Sequence, residues 1–380
     1  MISIKLIDIH KCFFDSISKI IYKIMKNRTL CFWLYPILIY LVLSCSEKQS
    51  NNLSPLLVSE NIDEQLKLVD FLSSIQHVEL ETNQNSFLTY IVDVKLENEH
   101  LYITDFSKNL LIFDLNGRFI KKISGLGDGP GQYEFFPSLV FDNTRRKIYI
   151  GSGYKILVFS SNHNYIYEIK FPFFINKLFL LDGNLCVISQ QQAVKENTGF
   201  RYSTNLFKLD SEFNLIDTLE FRNVIMNSSN FSDYLHKDYI SNFGDRTFIY
   251  TPIFGNELVL RDTLYEIIGD RFIPNSILGF KSYQEIIKGQ KKIEIYNIIN
   301  SKSYIIGEFD LGSNRIMYFF DKKNSIGYSL KKGFIDPERD TVFLRPLNLE
   351  NNLFYYVKLN KLNVKGMEEL NPIISLVELK

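Results

Sequence analysis

The chain has 380 residues, 43 basic against 43 acidic side chains, 46% hydrophobic and 14% aromatic residues, and 4 cysteines. That composition supports a large core and excludes both a disordered chain and a disulfide-stapled miniprotein. The balanced charge lacks the Lys and Arg excess that a nucleic-acid binder presents on one face, so no nucleic-acid partner is expected.

Taken in chain order, the first feature is an uncharged stretch from Thr29 to Ser46. Within it Leu30 to Leu43 is 14 residues of nearly pure apolar character, the length of a signal-peptide core and short for a membrane span. Met25-Lys26-Asn27-Arg28 is a complete n-region with its own methionine, so translation is expected to start at Met25; the competing reading is an extended n-region. The apolar run ends in Val42-Leu43-Ser44-Cys45, with polar residues from Ser46 to Asn52 behind it. This boundary resembles a bacterial lipobox, in which small residues precede a Cys that takes a diacylglycerol and becomes the new N-terminus. Val42 stands where Leu is usual. The resemblance implies a leader and lipoprotein signal peptide over 1–44, lipid attachment at Cys45 and a flexible tether over 45–64. It implies a cell-envelope protein anchored to the outer membrane, on its periplasmic or surface face. An uncleaved signal anchor is the alternative, because 18 uncharged residues reach the lower limit for spanning, although Pro36 interrupts them.

Cysteine usage agrees with that address. Cys12 and Cys31 would leave with the leader and Cys45 would carry lipid, so Cys186 alone remains, and neither an intramolecular disulfide nor a cysteine metal cluster is expected. Cys186 lies in the apolar run Asn184 to Ile188 and reads as an inert core thiol. Without residues 1–44 the chain keeps 37 basic and 41 acidic side chains, close to neutral.

From about residue 75 the sequence becomes a succession of short runs rich in Ile, Val, Phe and Tyr, separated by turn residues. The clearest unit holds four such runs, at Ile91–Leu96, Leu101–Asp105, Leu110–Asp114 and Arg118–Ile123, with Asn116-Gly117 expected as a positive-φ pair in the last hairpin. The unit recurs from Leu139 to Ile169, so that Phe113 corresponds to Phe159 at an offset of 46, and again from Lys177 to Leu219 at an offset near 50. Degenerate copies follow around 248–280, 305–334 and 341–359. Four-strand units at this period are the signature of propeller blades. The expected fold is therefore all-β, a six-bladed β-propeller of four-stranded antiparallel blades over 65–380. The alternating run Ile75 to Thr82 stands alone and is expected to pair with the C-terminal Ile373–Leu379, closing the last blade so that no sheet edge is left open. A β-sandwich with a second domain is the alternative.

The junction Gly125-Leu126-Gly127-Asp128-Gly129-Pro130-Gly131-Gln132-Tyr133 leading into Phe135-Phe136-Pro137-Ser138 resembles the inter-blade link of NHL or TolB-like propellers. It is most similar to the six-bladed propeller lipoproteins of Bacteroides and related bacteria, with support from Val78–Thr82, Asp262–Ile267 and Asn371–Ile374. The resemblance implies a fold and an envelope address, and no reaction. Some NHL relatives are metal-dependent lyases with a His just after that Pro; this chain has Ser138 there. Asp128 with Gly127 and Gly129 is a candidate ligand or cation loop, although the favoured reading is a blade-to-blade turn in which glycine supplies positive φ and proline stiffens the link.

Catalytic signatures were sought along the rest of the chain. The glycine-rich loop places Pro130 at the sixth position and leads into no helix, so it is no dinucleotide loop. His77, His100, His163 and His236 are scattered and read as surface or turn residues, and no Gly-x-Ser-x-Gly elbow occurs. The single Trp, Trp33, lies in the leader, which excludes sialidase-type and WD-repeat propellers. Ser282 to Ser303 breaks the β rhythm with isoleucines at partly helical spacing and reads as a lid or as an irregular link and outer strand; Asn223 to Asp238 reads as a polar loop. The function expected is a monomeric, lipid-anchored binding or scaffold module for a glycan, peptide or envelope protein, without cofactor or metal. The alternative is a propeller hydrolase or lyase with acidic residues at the central channel.

Overall fold

A computed structural model describes residues 53–380 apart from 60–61, 63–64, 124, 230–233, 253–259, 282–285, 288–289 and 361–368. The leader and Cys45 lie outside the described residues. Among these residues the regular structure is strand, with a single turn of 3-10 helix at Leu68–Asp70. No helix among them is long and apolar enough to cross a membrane.

Six sheets of three to five strands follow one another along the chain, with two two-stranded ribbons between them. Sheet one is the meander Ile91–Glu97, His100–Asp105, Leu110–Asp114, Phe119–Ile123. Sheet two has three strands where four were expected, because its middle runs join into one strand, Lys147–Ser160. The first half of that strand pairs with Ser138–Asp142 and the second with Tyr165–Ile175, and Gly153 between the halves has φ +62°. Sheet three runs from Lys177–Leu181 to Leu215–Met226, and sheet four from Ile240–Phe243 to Arg271–Gly279. Sheet five runs from Ile293–Asn300 to Ile326–Lys331, and sheet six begins at Arg345–Asn348.

The isolated N-terminal strand behaves as its pattern predicts. Leu72–Glu79 pairs antiparallel with Ile373–Leu379 and becomes the outer strand of sheet six. This protects an edge that would otherwise expose a row of unpaired backbone groups. In the hairpin at Asn116-Gly117 only Gly117 has positive φ, at +80°, so the expected positive-φ pair is not formed. A Cβ at Gly117 would lie 1.8 Å from the Glu79 carbonyl oxygen, so this glycine also permits the approach of the closing strand.

Alternation of side chains gives the inner strands two buried faces, whereas outer strands such as Phe119–Ile123 and Leu215–Met226 are largely exposed. Leu101 and Ile103 belong to a core shared by sheets six and one, whereas Tyr102 between them belongs to the core shared by sheets one and two. The same arrangement repeats between sheets two and three, three and four, four and five, and five and six. Six cores therefore join six consecutive sheets, the last back to the first, which is why the strands read as nearly continuous apolar runs. Cys186 is fully buried in the core between sheets three and four, and burial pushes its thiol up to about 12.

Two segments differ from expectation. Where a tether is expected, residues 53–59 are docked: Leu56–Leu57 pairs parallel with Arg271–Gly279, the Val58 N–H donates to the Gly279 carbonyl at 2.8 Å, and Ser329 Oγ donates to the Ser59 carbonyl at 2.7 Å. Farther on, the Ile335 N–H donates to the Leu66 carbonyl, and Leu68 is completely buried in the core of sheets five and six, a burial worth about 1.5–3 kcal/mol. In the second segment, Ile293–Asn300 is the buried first strand of sheet five rather than an outer strand or a lid. Its register shifts between Ile295 and Asn297, and the extra residue turns a strand's period of two into the spacing that mimicked a helix.

Candidate functional site

The first strands of the sheets carry charges on the faces their cores leave free. Val94 is fully buried, so alternation sends its neighbours Asp93 and Lys95 the other way. Lys177 precedes buried Leu178 at the start of sheet three, and Arg345 follows buried Leu344 at the start of sheet six. The strand Arg345–Asn348 packs against Ile91–Glu97, and Lys177–Leu181 against Ser138–Asp142, which brings these charges together.

Of the stretch Asn223 to Asp238, expected as a polar loop, Asn223–Met226 instead extend the strand Leu215–Met226, and the segment 234–239 enters this region. Asn297 holds it from sheet five, donating through Nδ2 to the His236 carbonyl at 2.7 Å and accepting the Asp238 N–H at 2.9 Å. The imidazole of His236 reaches sheet one, with Nδ1 3.0 Å from the Val92 carbonyl and Nε2 2.8 Å from the Tyr90 hydroxyl. A carbonyl only accepts, so Nδ1 carries the proton and Nε2 accepts from Tyr90, a neutral ring satisfied on both sides. Burial, reinforced by Arg345, lowers the His236 pKa and favours that neutral form.

Two groups of charges result. In the first, Glu308 is buried and accepts from Arg345 at 2.6 and 3.1 Å, Arg315 at 3.1 Å, Asn297 at 2.9 Å and the Tyr234 hydroxyl. Burial alone would raise its pKa, but Arg345 and these hydrogen bonds hold it down at about 2. Arg315 also binds Asp310 at 2.6 Å and lies over the Tyr296 ring, 4.1 Å from its centroid. In the second group the pairing is incomplete. Lys95 and Asp93 are 3.3 Å apart, and Asp238 approaches Arg345 only to 3.9 Å, its buried Oδ2 making no hydrogen bond among the described residues. Burial raises the Asp238 pKa, partly countered by Arg345; it lowers that of Lys177, with Lys95 adding to the effect.

Three cavities meet at these groups. The largest, about 1010 Å³, is lined by Phe87, Tyr90, Phe343 and Tyr356 beside Arg315 and Glu308. A second, about 320 Å³, combines Phe135, Phe136 and Phe174 with Asp93, Lys177 and Asp238. Both are bounded by Tyr234, His236, Arg345 and Tyr355, so the 234–239 segment partitions them. A third, about 300 Å³, is reached by Lys95, Lys177 and Asp238. Lys177 and Asp238 thus border both smaller cavities. Around the openings Tyr90, Phe106, Phe135, Phe136 and Tyr154 are exposed, linked by ring contacts from Phe106 to Phe136 at 6.2 Å and from Phe174 to Phe135 and Tyr154 at 5.0 and 5.4 Å.

The candidate loop of the sequence reading lies apart from these three cavities. Asp128 is largely exposed and accepts from Lys155 at 3.3 Å, and Lys155 also approaches Glu168 at 3.5 Å. Gly127 has φ +146°, and its N–H donates to the Tyr133 carbonyl at 3.0 Å; the Gly129 N–H donates to Gln132 Oε1 at 3.1 Å. Ser138, where some relatives carry His, is buried and its Oγ accepts the Leu178 N–H at 2.9 Å, tying sheet two to sheet three. Among the described residues no group of three His, Cys, Asp or Glu side chains is placed to hold a metal. Sequence reading missed Asp93, Lys95, Lys177, Tyr234, His236, Asp238, Glu308 and Arg345. The available signal was the charge on strands that open a repeat unit, Asp93 and Lys95 above all.

The fold defines an all-β protein of consecutive small sheets. The chain belongs to the DUF4934 family, a domain of unknown function, whose profile matches residues 56–378. Its fold is similar to the crystal structure of a Bacteroides fragilis protein described as exported, at 18% identity and a TM-score of 0.64, covering 86% of this chain and 100% of that one. Weaker likenesses are to a DUF4221 family member from Bacteroides vulgatus, at 12% identity and a TM-score of 0.47 over 81% and 97% of the chains, and to the Pan2 WD40 domain of Neurospora crassa, at 9% identity and 0.39 over 76% and 75%. No protein of curated function matches the sequence.

Proposed function

We propose that this protein is a lipid-anchored, extracytoplasmic six-bladed β-propeller that binds a ligand at the mouth of its central channel. The six cores, each shared by consecutive sheets and the last returning to sheet one, support the ring of blades. The lipobox-like boundary at Cys45 and the likeness to a Bacteroides protein described as exported support the address. The observation that carries the binding role is the cavity of about 1010 Å³, aromatic at its rim and charged at its floor, the combination that orients a glycan or peptide. Its arginines are already bonded to Glu308 and Asp310, so the floor is preorganised rather than reactive.

Two experiments test this. Cys45→Ala should move the protein from the membrane to the soluble fraction; retention in the membrane refutes the anchor. Thermal unfolding against envelope glycans and peptides should show a rise in midpoint, because ligand at one hundred times its Kd adds about 2.7 kcal/mol. The rise should vanish in Tyr90→Ala, and its persistence there would move the site elsewhere.

A second reading, a propeller hydrolase or lyase, is favoured by one observation. Burial raises the Asp238 pKa, whereas Lys95 and Lys177 outweigh burial at Asp93 and lower its pKa, the divergence expected of an acid and a base. Turnover of a bound compound, lost in Asp238→Asn, is its test.

A further inference from the structure

We propose that the cavity of about 320 Å³ receives an acidic sugar, stacked on Phe135, Phe136 and Phe174 and held through its carboxylate by Lys177. This rests on the binding reading above and names the ligand class. Among the described residues every other cation bordering this group has a close charged or aromatic contact: Lys95 has Asp93 at 3.3 Å, Arg345 has Glu308 at 2.6 Å, and Lys237 lies over the Tyr239 ring. The Lys177 side chain makes no hydrogen bond or ion pair among the described residues, although it stands at the wall common to two cavities. Asp93 and Asp238 act on Lys177 only from beyond contact distance, and a partly buried ammonium without an anion in contact is a costly arrangement that a ligand's anion relieves.

The groups facing it set the sign of the ligand. Asp93 is committed to Lys95, and Asp238 lies against Arg345, so neither neutralises Lys177 at contact distance. Lys95 and Lys177 border the cavity of about 300 Å³ against the single carboxylate of Asp238, so the cations there outnumber the anion and the potential favours a further anion. Asp238 lines the cavity and its Oδ2 makes no hydrogen bond among the described residues, so its carboxylate has lone pairs to offer a sugar hydroxyl. The three phenylalanines supply apolar faces for the C–H side of a pyranose ring, and a volume of about 320 Å³ suits one or two rings. No covalent step is involved.

The test uses the purified full chain in detergent and calorimetric titration with digalacturonate, its neutral counterpart digalactose, and inorganic phosphate. Digalacturonate is expected to bind at least about tenfold tighter than digalactose, and Lys177→Met should remove that preference while Lys177→Arg retains it. Equal affinity for the two sugars, or a preference that survives Lys177→Met, overturns the acidic-sugar proposal and leaves the binding reading standing. Phosphate binding as tight as digalacturonate also overturns it, since the aromatic wall would then contribute nothing. Silence of all three probes overturns it as well; the broader reading falls only if the glycan and peptide panel is silent too. Circular dichroism of each variant keeps a folding defect from passing as lost affinity.

Discussion

The two charged groups beside the cavities use the same residue types to opposite ends. Around Glu308, one carboxylate accepts from two arginines, an asparagine and a tyrosine, and its pKa sits at about 2. Around Asp238, a carboxylate of similar burial has Arg345 only at 3.9 Å, and its pKa is raised. A buried charge becomes a support when its lone pairs are filled and a liability when they are not. The first group therefore holds sheets five and six to the 234–239 segment, and the second leaves Asp238 Oδ2 without a hydrogen bond among the described residues.

The sharpest way to break this contrast is Glu308→Ala. Stranding Arg345 in a buried site and taking one of the two carboxylates from Arg315 should cost about 3–5 kcal/mol, read as a lower denaturation midpoint. The pH dependence follows from the same residue. Its folded pKa lies below the unfolded value, so its contribution is present above about pH 4.5 and is lost as pH falls toward 2. Unfolding titrations between those limits should show a slope that Glu308→Ala removes.

Smaller effects should come from the second group, with the opposite sign. The raised Asp238 pKa means that the fold disfavours its ionised form, so stability declines as pH rises above the unfolded value of 3.8. Asp238→Asn should therefore gain about 1 kcal/mol at pH 7 while weakening any ligand that Oδ2 accepts from. A loss of stability in that variant would place Asp238 with the supporting group. The smallest effect is expected at the glycine-rich loop: the Asp128 carboxylate is exposed, so Asp128→Asn should change stability by less than about 1 kcal/mol and leave channel ligands unaffected. A loss of ligand affinity in that variant would restore the loop as a site.

The contrast also marks where sequence reading stopped. The meander of sheet one, the pairing of Leu72–Glu79 with the C-terminal strand and the burial of Cys186 were all legible, because each follows from local alternation or from a strand left without a partner. Ile293–Asn300 was misread because one bulge at Tyr296 shifts the phase of its isoleucines. Residues 53–59 were read as tether because they follow the lipobox-like boundary at Cys45, and their order comes from an edge of sheet four more than two hundred residues away.

The sequence by itself determined an all-β chain of repeated four-run units and the strand that closes the last sheet, since a period of two and turn residues act over a few positions. Only the tertiary structure decided which charges meet. Tyr234, His236 and Asp238 lie in a polar stretch with no pattern, and Glu308 and Arg345 are 37 positions apart on different sheets. Alternation tells each of these side chains which face to take, but the neighbour it finds there is chosen by the packing of one sheet against the next.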